Sequence, residues 1–204
     1  MTESPNTGRM LVISGPSGCG KSTICKELLT DDRVVFSVSV TTRPIREGEV
    51  DGRDYIFMTP DAFRERAASG EFIEYAEVHG NMYGTLRAPM DEALAAGFVY
   101  LVEIDVQGAN QLKLLGIPGI YTFIAPPSFE VLRERLVGRG TDAPDVIERR
   151  LKKAHDEYEE RDKYDHIVVN EDLDRAVGEV RELAGLDSAN PDQASSSQAK
   201  TSRS

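Results

Sequence analysis

Between a short apolar run and a helical pattern, the chain carries Gly15-Pro16-Ser17-Gly18-Cys19-Gly20-Lys21-Ser22, a full match to the G-x-x-x-x-G-K-[ST] spacing of a phosphate loop. Glycines let successive backbone N–H groups turn toward one point. The N-terminus of the helix that follows adds partial positive charge, so a phosphate chain can be cradled there. Lys21 brings a point charge to the outer phosphates, and Ser22 offers a hydroxyl to Mg²⁺, the metal expected beside it. A strand-to-helix turn alone has no need of Lys-Ser after its last glycine. Cys19, inside the loop, is read as a small neutral filler, and Cys25 as core.

The loop does not settle the acceptor, because GTPases, motor ATPases and small-molecule kinases share it. Further along stand Ser37-Val38-Ser39-Val40-Thr41-Thr42-Arg43, Arg46-Glu47-Gly48-Glu49, Asp54-Tyr55, Phe72-Ile73-Glu74-Tyr75-Ala76 and Gly80-Asn81-Met82-Tyr83-Gly84-Thr85. Two arginines three apart and two tyrosines could converge on a second phosphate group. With Ile104-Asp105-Val106-Gln107-Gly108, Ala125-Pro126-Pro127-Ser128 and Gly138-Arg139-Gly140-Thr141, the order of these motifs from Met10 to about Ala184 resembles that of the guanylate kinase family.

The resemblance implies a parallel-sheet P-loop nucleoside monophosphate kinase core with an inserted mixed α+β GMP-binding subdomain at about 36–88 and a helical lid at about 126–156. It implies the reaction of ATP with GMP to give ADP and GDP, with dGMP as a further acceptor. Residues Gly15, Pro16, Ser17, Gly18, Cys19, Gly20, Lys21, Ser22 and Thr23 then fall on ATP, joined by Arg135 and Arg139. Arg43, Arg46, Tyr55 and Tyr83 fall where the family grips the GMP phosphate, and Ser39, Glu74, Thr85 and Asp105 where it reads guanine. Lys21, Arg43, Arg139 and Arg150 form the expected catalytic set, with Ser22 and Glu103 toward Mg²⁺.

Physical chemistry agrees with that division. Guanine presents N1–H and N2–H donors that a carboxylate such as Glu74 accepts as a pair, whereas adenine presents an acceptor at N1. Arginine forks suit phosphate oxygens. A phosphate acceptor is largely dianionic near neutral pH, its second pKa being about 6, so no general base is needed. His79, His155 and His166 are accordingly read as bystanders in or beside turns and helix-to-strand connections, and Arg133 and Arg149 as ordinary helix charge. Two positions depart from the family pattern: Glu103 stands where Asp is common, and Pro44 precedes Ile45 rather than Arg46 directly. Neither removes a functional group. A relative that has lost catalysis and binds protein through the old cleft is the competing class, and such modules tend to lose the Gly20-Lys21-Ser22 set.

These side chains need a frame. β-Branched runs at Leu11-Val12-Ile13, Val34-Val35-Phe36, Val99-Tyr100-Leu101-Val102, Ile120-Tyr121-Thr122-Phe123-Ile124 and Ile167-Val168-Val169 predict buried parallel strands. Helical spacing between them, near 21–30, 89–96, 107–115, 128–138, 144–161 and 172–184, predicts an α/β sheet covered on both faces. Thr41 to Thr85 breaks the rhythm and predicts an inserted, partly β unit. Residues 1–9 predict a flexible leader, and from about Leu186 the chain turns polar, predicting a disordered tail over 187–204 without core contacts.

The 204 residues are 40% hydrophobic and 29% charged, which predicts one globular domain at about 10–186. Twenty-four Lys and Arg against 35 Asp and Glu leave a formal charge of −11, which repels nucleic acid and anionic membranes at long range, so neither is an expected partner. Any anionic ligand therefore needs a local cluster of positive charge. Two cysteines allow no disulfide framework, and no stretch has the length of a membrane span or signal peptide, which predicts a cytoplasmic protein. These patterns specify neither a monomer nor a homo-oligomer.

Overall fold

The computed structural model describes residues 8–78, 80–138 and 143–187. Strand β1 (Arg9–Ser14) leads through the glycine loop into α1 (Lys21–Leu28) and β2 (Val34–Phe36). Then come β3 (Val40–Thr41), β4 (Ile56–Phe57), α2 (Pro60–Ala68), β5 (Phe72–Val78) and β6 (Asn81–Leu86). Next are α3 (Arg87–Ala95), β7 (Val99–Glu103), α4 (Val106–Leu114) and β8 (Ile120–Ala125). The last elements are α5 (Phe129–Gly138), α6 (Pro144–Tyr158), β9 (His166–Val169) and α7 (Leu173–Leu183).

A five-stranded parallel sheet in the order β2-β7-β1-β8-β9 forms the main body. The central strand β1 has its apolar residues buried on both faces because successive side chains alternate. Leu11 and Ile13 pack with Ile24, Leu28, Ala176 and Val180 beneath α1 and α7, while Met10 and Val12 pack with Met90, Ala109 and Leu112 beneath α3 and α4. The five predicted strands and six predicted helices are all present within a few residues, the end of the fifth helical pattern being a 3-10 segment at Arg161–Lys163 after α6.

The interrupted region forms a second sheet of four strands, β4-β3-β6-β5, with α2 beside it. Its small core of Val40, Phe63 and Phe72 is separate from the two cores of the main sheet. Phe63 stacks on Phe72 at 4.5 Å between ring centroids. Helix α2 starts where Thr59 accepts the Ala62 N–H and Pro60 occupies the first turn, a helix-start pairing that the Gly- and charge-rich reading of 41–85 overlooked. Helices α5 and α6 share a further core of Leu132, Leu136, Ile147 and Leu151.

Two expectations need correction. The leader is shorter than 1–9, because Arg9 opens β1 and the Gly8 N–H donates to the Leu94 carbonyl. His155 lies in the last turn of α6, beside the connection to β9 as expected, stacked on Phe129 at 3.6 Å between centroids. Leu186 is not tail: it is 3% exposed within the α1–α7 core, and its carbonyl accepts from Arg33. Arg33 and Arg181 also share Asp31, which ties the end of α7 to the turn before β2. Those bonds hold the Asp31 carboxyl well below its usual range, the Arg33 side chain contributing most.

Ending the chain after Gly185 should therefore cost about 2–3 kcal/mol, the value of one well-buried leucine. Urea unfolding of that truncation against the full chain measures it, and an unchanged midpoint would return Leu186 to the tail.

Candidate active site

The register of the main sheet brings the chemistry together. Glu103, the last residue of β7, pairs with Ile13, the penultimate residue of β1 and two residues before the loop begins at Gly15. Its carboxylate thereby meets α1, and Ser22 Oγ donates to Glu103 Oε1 at 2.6 Å. Glu103, the longer carboxylate, spans the gap. Lys21 Nζ donates to the carbonyls of Gly15 and Pro16 at 2.6 and 2.9 Å, folded over the loop it belongs to.

Gly20 caps α1 at φ 99°, in the left-handed region, and a Cβ there would sit 2.2 Å from Asn170 Nδ2. Glycine is required on both counts. Asn170 follows β9, is buried, and donates through that amide to the Cys19 carbonyl at 2.8 Å. Its own carbonyl accepts Arg135 Nη2 at 2.9 Å, and Arg135 Nη1 reaches Cys19 O at 3.4 Å. Asn170 thus joins the phosphate loop to α5. Sequence reasoning missed it, since a lone Asn after an apolar run reads as a turn residue. Cys19 is fully buried, and burial pushes its thiol pKa up, as it does for Cys25. Thr23 is exposed, its N–H bonded to Gly20 O.

Across the cleft, the antiparallel pairing of β5 with β6 sets Glu74 opposite Thr85, and Thr85 Oγ1 donates to Glu74 Oε1 at 2.6 Å. Glu74 is 7% exposed. Burial raises its carboxyl pKa; the Thr85 hydrogen bond opposes the rise and nearby Asp105 adds to it. Asp105 caps α4, accepting the Gly108 N–H at 2.9 Å, with Lys153 of α6 at 3.9 Å. Arg43 is buried with its guanidinium 5.4 Å from the Tyr55 ring centroid, and Tyr55 and Tyr83 meet edge to face at 6.0 Å. Arg46 is exposed on the loop that follows.

A cleft of about 480 Å³ brings these parts to one space: Ser17 from the loop, Glu103 and Asp105 from the main sheet's edge, Ser39, Tyr55, Glu74 and Tyr83 from the small sheet, and Arg150 from α6. Lys21 and Ser22 line an adjoining hollow shared with Ser39, Tyr55, Glu103 and Asp105. Arg139 and His79 lie outside the described residues. Arg133 and Arg149 are in surface ion pairs with Glu148 and Asp145, as ordinary helix charge would be. Among the described residues no helix is long and apolar enough to cross a membrane, and no cluster of three His, Cys, Asp or Glu side chains could hold a metal.

A phosphate loop after the central strand of a parallel sheet, facing a second sheet that buries an acidic and a basic side chain, is the plan of a P-loop nucleoside monophosphate kinase. The family model for guanylate kinase matches residues 7–185. A guanylate kinase of Corynebacterium jeikeium is 46% identical over 187 residues, covering 90% of this chain and 99% of its own length. One from Geobacter metallireducens is 48% identical over 177 residues, covering 86% and 87%. The crystal structure of guanylate kinase from Anaplasma phagocytophilum superposes with a TM-score of 0.72 at 34% identity, covering 91% of this chain and 89% of that one. The chain belongs to the guanylate kinase family.

The burial of Glu74 has a consequence for stability. Its unfolded carboxyl titrates near the ordinary 4.5 and its folded one above that, so the folded state binds the proton more tightly. The stability this group contributes is full below 4.5 and is lost as pH rises through the folded value. Glu74→Gln, which keeps an acceptor for Thr85, should unfold at higher temperature than the unaltered protein near pH 8, and the gain should shrink toward pH 4. A variant less stable at pH 8 than at pH 4, relative to the unaltered protein, would contradict this.

Proposed function

We infer that this protein transfers the terminal phosphoryl group of ATP to GMP, yielding ADP and GDP, in purine nucleotide metabolism. The single observation that carries the reading is the shared cleft, in which Ser17 of an intact phosphate loop faces Glu74 and Tyr83 of the small sheet. The complete Gly20-Lys21-Ser22 set argues against a protein-binding relative that has lost catalysis. We assign about 36–88 to the GMP subdomain and about 126–156 to the lid, each supported by a separate small core.

Gly15 through Thr23, with Arg135 and Arg139, are assigned to ATP. Lys21 leaves its two loop carbonyls to meet the outer phosphates. Arg43, Arg46, Tyr55 and Tyr83 hold the acceptor phosphate, whose dianionic oxygen attacks without a general base, since its second pKa is about 6. Catalysis is then alignment and charge neutralisation by Lys21, Arg43, Arg139 and Arg150. Ser39, Glu74, Thr85 and Asp105 read the base. Closure of the lid keeps water from taking the phosphoryl group.

Ser22 and Glu103 fit Mg²⁺, being hard oxygen donors already 2.6 Å apart beside the loop. When bound, the ion neutralises charge on the transferring phosphates. We propose dGMP as a second acceptor, because the assigned residues address phosphate and base and none is assigned to the 2′-hydroxyl. The cytoplasm is the proposed site of action, where both nucleotides are available.

A coupled ADP-release assay with GMP, dGMP, AMP, CMP and UMP tests the reading: GMP and dGMP should be turned over well and the others poorly. Glu74→Gln should lower kcat/KM for GMP about tenfold to a few hundredfold, as expected for a lost hydrogen bond to a charged group. The GMP-to-AMP ratio should shrink with it, because the new amide can meet adenine N1. An unchanged ratio would remove Glu74 from the base site. Lys21→Ala should lose several orders of magnitude in turnover while remaining folded, and near-normal turnover would sink phosphoryl transfer at this loop.

A further inference from the structure

Glu49 uses both carboxylate oxygens on the two arginines assigned to the acceptor phosphate. Oε1 accepts Arg43 Nη2 at 2.7 Å, and Oε2 accepts the Arg46 backbone N–H at 2.8 Å. The Glu49 N–H returns a bond to the Arg46 carbonyl at 3.1 Å, closing the turn that carries Arg46. Arg43 is also held through Nη1 by the Pro44 carbonyl at 2.8 Å, and its guanidinium lies within 6 Å of the Tyr55 and Phe57 ring centroids, at 5.4 and 5.7 Å.

The pair differs from the surface ion pairs around it. The Arg43 side chain is 9% exposed and that of Glu49 20%, whereas the neighbouring pair of Arg53 and Asp54 shows 64% and 36%. A guanidinium taken out of water needs a counter-charge before any substrate arrives, and removing one partner of such a pair leaves the other costly. The direction of the Arg43 pKa, raised chiefly by its bond to Glu49, agrees with the contact.

Resting on the assignment of Arg43 and Arg46 to the GMP phosphate, we propose that Glu49 is a positioning residue that fixes the geometry of the phosphate grip, holding Arg43 through its side chain and Arg46 through its backbone. Two effects of opposite sign meet at this carboxylate. Its negative charge repels the incoming phosphate, while its two contacts set both arginines in place beforehand. The contacts win. Arginine has five N–H donors, of which Glu49 and Pro44 take two, so the fork keeps donors for phosphate while its plane stays fixed. A glutamine at this position could satisfy one partner through its oxygen but would face the other N–H with an NH₂ group.

The test compares GMP with guanosine, which carries the same base and no phosphate. Glu49→Gln should weaken GMP binding by about tenfold to a hundredfold, the worth of a hydrogen bond to a charged group. It should raise KM for GMP, leave KM for ATP unchanged and leave guanosine affinity unchanged. Equal losses for GMP and guanosine would show a general disturbance of the small sheet, and unchanged or tighter GMP binding would show that repulsion outweighs positioning; either overturns the proposal. If Glu49→Gln lowers the melting temperature, Glu49→Asp carries the same comparison, because it keeps the counter-charge while shortening the reach. It should show the same GMP-only loss, and equal losses for both ligands would again overturn the proposal. The unaltered protein serves as the control for the functional assignment: failure to prefer GMP over guanosine there would refute the acceptor site itself, independently of Glu49.

Discussion

Two phosphate-bearing anions must meet head to head in a chain whose formal charge is −11. Like charges about 4 Å apart repel by about 4 kcal/mol at the effective dielectric of a protein surface, so concentrated positive charge is the condition on which the site depends. Lys21, Arg43, Arg46, Arg135 and Arg150 are the side chains proposed to supply it, from four places in the chain: the loop, the small sheet's entry, α5 and α6. The acidic side chains near the cleft each have a donor of their own. Glu103 has Ser22, Glu74 has Thr85, Asp105 has the Gly108 N–H, and Glu49 has Arg43. Negative groups are thereby fixed in position, available for a metal or a base edge.

The parallel sheet makes this convergence possible. Parallel strands leave their C-terminal ends on one side, where the loop after β1 and the carboxylate at the end of β7 become neighbours by register alone. The small sheet adds an antiparallel pair in which residues directly opposite share a face, so Glu74 and Thr85 meet without a long side chain between them. Separate cores for the small sheet and for α5 with α6 mean that each packs chiefly on itself. That arrangement suits parts that close over substrates, since movement then breaks few buried contacts.

The phosphate loop, the five buried strands and the helices between them were legible because each has a strong local signature: fixed glycine spacing, β-branched runs and a 3.6-residue period. The small sheet was legible only as a break in rhythm. Strand β3 has two residues, and β6 carries Tyr83 and Thr85 with Gly84 between them, so its period was masked by polar residues proposed for the site. Leu186 reads in sequence as the start of the polar stretch because a single apolar residue has no period, and its burial comes from residues distant in sequence in the α1–α7 core. Asn170 was illegible for the same reason: its partner Cys19 is 151 residues away, and nothing in local spacing announces a side-chain amide under a loop. Glu49 stands only six residues from Arg43, in a segment already notable for its charge, but spacing does not distinguish a carboxylate shared by two arginines from a solvated one.

With the loop and the small sheet as halves of one site, phosphoryl transfer between the bound nucleotides is direct. This arrangement is tested most directly by the affinity of a single ligand in which adenosine and guanosine are joined by one polyphosphate chain. Linking two ligands that bind simultaneously should tighten binding by about a hundredfold or more over the better of ATP and GMP. Calorimetric titration with that molecule should also show it displacing both nucleotides at once. Affinity no greater than that of ATP alone, with GMP still able to bind, would mean that the two phosphate-gripping clusters do not face each other in one cleft.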